Sequence, residues 1–134
     1  MFSTIVIGLD QSATAHRAFL DGAELGRLFG AHLHLVTSFA DGPLGGVAIS
    51  DERLEAEQML DSAARAADPT GQKVTTHALP GKPADAILRV AEEIGADLIV
   101  IGNKGAQGAR RVLGSVAGAV TGGAPCTVMV VKTT

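Results

Sequence analysis

The chain contains no tryptophan and no tyrosine, and its only aromatic residues are four phenylalanines. A stacking platform for single-stranded nucleic acid needs several aromatic faces, so that role is not expected. A single cysteine, Cys126, excludes an intramolecular disulfide and fits a reducing compartment. Its place beside an apolar run suggests a buried structural thiol rather than a reactive one. No basic secretory segment opens the chain, and no apolar run approaches the ~20 residues of a membrane span, so a cytoplasmic protein without a membrane partner is expected. Carboxylates vanish after Asp97. All 14 acids lie at or before it with seven basic residues, leaving −7; Leu98–Thr134 carries Lys104, Arg110, Arg111 and Lys132 alone, or +4. Such a tail either holds an anion or is a chance run.

What is present describes one ordinary domain. The 134 residues are 46% hydrophobic and 19% charged, which excludes a disordered or fibrous chain. A chain of this size buries roughly two-thirds of its unfolded surface and needs no metal or disulfide to fold. The net charge of −3 gives no support to a nucleic-acid partner.

Thr4–Leu9, His32–Thr37, Leu98–Ile101 and Thr127–Val131 read as four buried strands, and three of them are near-continuous apolar runs, as suits a parallel sheet covered on both faces by helices. Lys73–Leu79 alternates and is expected to have one wetter face, as an edge strand does. Helices fill the gaps. Ser12 is a candidate N-cap, Ala18, Gly22, Leu25 and Phe29 form a stripe, and Gly30 can stop the helix. Ser50 with Asp51 and Glu52 suits a second helix start, with Ala56, Leu60, Ala63 and Ala67 inward. Pro83 suits the first position of a third helix bearing Ile87, Ala91 and Ile94 and ending at Gly95. A last helix is expected from Ser115 to Thr121, stopped by Gly122, Gly123 and Pro125. Strands alternating with helices predict an open parallel α/β sheet with right-handed crossovers. Ala40–Gly46 is the one long turn-rich loop, either a lid or a connector.

The informative stretch runs from Gly102, Asn103, Lys104 and Gly105 to Gly114, Ser115 and Val116. It leaves the fourth strand and enters the last helix. Glycines let backbone N–H groups approach phosphate oxygens, Ser115 adds a hydroxyl, and the helix start adds positive potential. Together with the basic residues they favour an anion site over a plain connector. The spacing is G-x-x-G-x-x-G, so neither the Walker loop nor the dinucleotide fingerprint is present, and no G-x-S-x-G elbow exists. At the end of the first strand Asp10 either caps the next helix or accepts a hydrogen bond from a ligand.

Ile5–Ser12, Gly81–Ile87, Gly95–Gly102 and the glycine stretch followed by Ala124-Pro125-Cys126 resemble the universal stress protein family over the whole chain, residues 1–134. That family's loop is written G-x2-G-x9-G-[ST]; here eight residues separate Gly105 from Gly114, one fewer. The resemblance implies a five-stranded parallel sheet in order 3-2-1-4-5, of the adenine nucleotide alpha hydrolase-like kind, and binding of ATP, with or without Mg²⁺. Asp10 and the Val36 backbone would meet adenine; Gly102, Asn103, Lys104, Gly105, Gly114, Ser115 and Val116 would surround ribose and phosphates. It also implies a homodimer, for which the apolar final strand Thr127–Val131 is an inviting edge.

Other polar residues carry less. His32 and His34 share a strand face but have no carboxylate or thiol at ligand spacing, and His16 and His77 stand isolated in the sequence. No nucleophile and base can be paired, so catalysis is not expected. The chain reads as a nucleotide-dependent stress-response regulator, with a dimeric interaction module that lacks nucleotide as the alternative. A pyrophosphatase-type enzyme would need a Ser-Gly-Gly-x-Asp-Ser loop that is absent.

Overall fold

The computed structural model describes residues 1–10, 12–40, 47–67, 71–103 and 114–132. Its elements alternate as β1 (Thr4–Gly8), α1 (Ala13–Phe29), β2 (His32–Phe39), α2 (Val47–Ala67), β3 (Val74–Pro80), α3 (Pro83–Ile94), β4 (Leu98–Gly102), α4 (Ser115–Gly123) and β5 (Thr127–Val131). The strands form one parallel sheet in order β3-β2-β1-β4-β5, as expected. β1 and β4 lie inside it, and their apolar runs are covered on both faces: Ile5, Val6, Ile7, Leu98, Ile99 and Val100 are all fully buried.

The pleat sends alternate side chains into two cores. Ile5, Ile7, Leu33, Leu35, Leu98 and Val100 pack with Ala18 and Phe19 of α1 and Leu60 of α2. Val6, Val36, Ile99 and Ile101 pack with Ile87, Val90 and Ala91 of α3 and Val120 of α4.

Local signals explain the element ends. Ser12 Oγ accepts from Ala15 N at 3.1 Å and caps α1; Gly30 ends it in the left-handed conformation at φ 64°. Pro83 opens α3 and Gly95, at φ 66°, closes it. Several expectations need correction. Phe29 does not join the buried stripe of α1: it is exposed and meets Phe2 edge-on at 5.6 Å, while Phe19 and Gly26 face the core instead. α2 begins at Val47, so Ser50 is its fourth residue rather than the residue before it, and Asp51 and Glu52 lie beyond its first turn. α4 includes Gly122 and Gly123 and stops because Pro125 forces Ala124 into an extended conformation, ψ 139°. β2 runs two residues past Thr37, and β3 is an edge whose burial does not alternate cleanly.

Candidate functional site

In a parallel α/β sheet the C-terminal strand ends form the ligand edge, and the break in strand order between β1 and β4 opens a crevice there. A cavity of about 140 Å³ occupies that position. Gly8, Leu9 and Asp10 line one side, Thr37 and Ser38 of β2 the next, and Gly102 with Val116 of α4 the other. An adjoining hollow shares Asp10, Thr37 and Ser38 and is rimmed by Glu52 and Glu55 of α2.

The residues around the cavity are held by backbone geometry. Asp10 Oδ1 accepts from Ser12 N at 2.7 Å, so the carboxylate closes the β1–α1 turn as well as facing the cavity. Leu9 N donates to Val36 O at 2.8 Å, and Thr37 Oγ1 donates to Leu9 O at 2.7 Å, tying the ends of β1 and β2 together. Val36 itself is fully buried, its carbonyl taken by Leu9; its neighbours Thr37 and Ser38 reach the cavity wall. A Cβ on Gly102 would lie 2.9 Å from Thr14 O, so only glycine lets β4 end against the start of α1.

The glycine stretch is anchored at both ends. Asn103 N donates to Val131 O, and Asn103 O accepts from Gly114 N at 3.0 Å, which brings the start of α4 beside the end of β4. Gly114 is the N-cap of α4, and Ser115 is its exposed first residue. The opening amides of this helix have no intrahelical acceptor, and the macrodipole makes that end positive. Of the expected site residues, Asp10, Gly102 and Val116 line one cavity, with Asn103, Gly114 and Ser115 adjacent in the chain. Lys104 and Gly105 lie outside the described residues, as do Arg110, Arg111 and the loop of residues 41–46. Thr37 and Ser38 are additions; as polar residues at the carboxyl end of a buried strand, they carried a signal in the sequence.

The histidines correct another expectation. His77 is not isolated: its Nε2 lies 2.9 Å from His34 Nδ1 across the β2–β3 pair. These rings sit on the α3 face of the sheet, and none of them lines the cavity. Among the described residues no three His, Cys, Asp or Glu side chains form a group that could hold a metal.

A family model described as the universal stress protein family matches residues 1–132. A universal stress protein of Methanocaldococcus jannaschii is 31% identical over 141 residues, covering 98% of this chain and 83% of that one. A solved universal stress protein in complex with cAMP superposes with a TM-score of 0.82 at 26% identity, covering 99% of each chain. The universal stress protein of Archaeoglobus fulgidus in complex with dAMP gives a TM-score of 0.73 at 27% identity over 97% of each. From its first strand to its last, this chain belongs to the universal stress protein family.

Proposed function

We propose that this protein binds an adenine nucleotide, ATP with or without Mg²⁺, as a regulatory ligand at the β1–β4 crevice, and that it works in the cytoplasm as a non-enzymatic homodimer joined through β5. The observation that carries the reading is one cavity bounded by Asp10, by Gly102 and by the first turn of α4. A hydrogen-bond acceptor faces it from one side and the positive end of a helix from the other, which suits a base-to-phosphate ligand. The adenine nucleotides in the cAMP and dAMP complexes of the two related proteins support the same ligand class. The shortened spacing between Gly105 and Gly114 favours the rival reading, an interaction module without nucleotide.

Titration calorimetry with ATP, with and without Mg²⁺, separates the two. Gly114→Val places a branched side chain at the N-cap where phosphate meets the α4 amides, and it is expected to abolish the binding heat. Thermal unfolding of the variant is measured alongside, so that lost heat from a cooperatively folded variant is read as lost binding. Wild-type protein without binding heat at millimolar ATP returns the protein to the rival reading.

A further inference from the structure

Three imidazoles meet at the outer edge of the sheet, upstream of the β2 residues that line the cavity. His32 and His34 of β2 lie with ring centroids 4.1 Å apart and planes tilted by 31°, and His34 meets His77 of β3 edge to edge at a centroid distance of 5.2 Å. The His34 Nδ1–His77 Nε2 contact at 2.9 Å makes one ring a donor and the other an acceptor, which needs at least one neutral ring. His32 Nε2 adds a second cross-strand bond, 2.7 Å from Thr75 Oγ1. His34 is buried, so a proton there has little water to share its charge.

We propose that the His32–His34–His77 cluster is a proton-operated latch on edge strand β3, tying β3 to β2 while its rings are neutral and releasing it in acid.

Burial holds the His34 imidazole down to about 4, helped by the charges of His32, His77 and Lys73. Burial also lowers His32, with Lys73 and His77 adding to it. Burial lowers His77 too, against the pull of Glu93 from α3. Glu93 is itself paired with Arg89 at 3.0 Å. No titratable group of β1 takes part. The sign follows from linkage: folding disfavours the protonated rings, so their contribution is complete above the unfolded value of 6.5 and is lost as pH falls toward about 4. The loss concentrates on β3 because it is an edge strand with one neighbour, whereas β4 is held on both sides.

Hydrogen exchange of the intact protein tests the latch. After correction for intrinsic rates, amides of Val74–Leu79 should exchange about ten-fold faster near pH 4.5 than at pH 7, with those of Leu98–Gly102 unchanged. Combined His32→Gln, His34→Gln and His77→Gln replacement should abolish this difference. Proton NMR of the wild-type imidazoles gives a check that needs no variant: His34 should titrate last, well below the ordinary value. Equal acceleration in β3 and β4, a response that survives the triple replacement, or three rings titrating near the ordinary value would each overturn the proposal.

Discussion

Asp10 carries two jobs on one carboxylate, and they can be separated. Oδ1 accepts from Ser12 N and sets the turn into α1, while the side chain also lines the cavity. Asp10→Asn retains an acceptor for Ser12 but brings an amide donor in place of the second oxygen. If that oxygen accepts from the amino group of adenine, the variant should lose about 1.5–3 kcal/mol of ATP binding. GTP has no such amino group, so its binding should change less, and the fold should keep its unfolding midpoint. Equal weakening of both nucleotides reduces Asp10 to its turn. Gly102 is a different kind of residue: it supplies absence of volume, since any Cβ would meet the Thr14 carbonyl.

Among the elements, the interior strands and α3 were the most legible in the sequence. Val, Ile and Leu runs in β1 and β4 are buried on both faces, and Pro83 and Gly95 mark the ends of α3 by their backbone constraints alone. What stayed hidden depends on register. His77 meets His34 because β3 pairs with β2 in a register that places Val36 opposite His77, a choice made by packing between distant segments. Phe29 shows the same limit, since helical spacing alone does not say where the stripe leaves the core. Asp97 gives the testable case. Its carboxylate accepts from Ser3 N at 2.9 Å, Ser3 Oγ at 3.0 Å and Thr4 N at 3.1 Å, clipping the entry of β1 to the entry of β4. Burial pushes this carboxyl up, but the bonds from Ser3 and Thr4 outweigh it and hold it below the usual range. The contribution is therefore complete above the unfolded value of 3.8 and is lost as pH falls through the lower folded one. Asp97→Ala should cost about 1–3 kcal/mol in urea denaturation at pH 7. The gap between wild type and variant should narrow as pH falls below 3.8, and a constant gap would remove Asp97 from the account.

For the whole molecule the open question is the outer edge of β5, and the hydrogen-bond pattern makes the proposed dimer testable residue by residue. Val131 O accepts from Asn103 N, so Val131 turns its backbone groups toward β4. Alternation along a strand then directs Met129 inward as well, and it leaves the N–H and C=O of Val128 and Val130 pointing away from the sheet. A two-fold axis along this edge would pair those groups with their own copies and cover the half-buried side chains of Val128, Met129 and Val130. Proline removes a donor wherever it stands, so its position decides what is lost. Val130→Pro deletes an outward donor and should sediment as a folded monomer with unchanged circular dichroism. Met129→Pro deletes a donor to β4 inside the sheet, and it should lower the unfolding midpoint whatever the oligomeric state. A wild-type chain that sediments as a monomer, or a Val130→Pro variant that remains a dimer, would place the contact between subunits elsewhere.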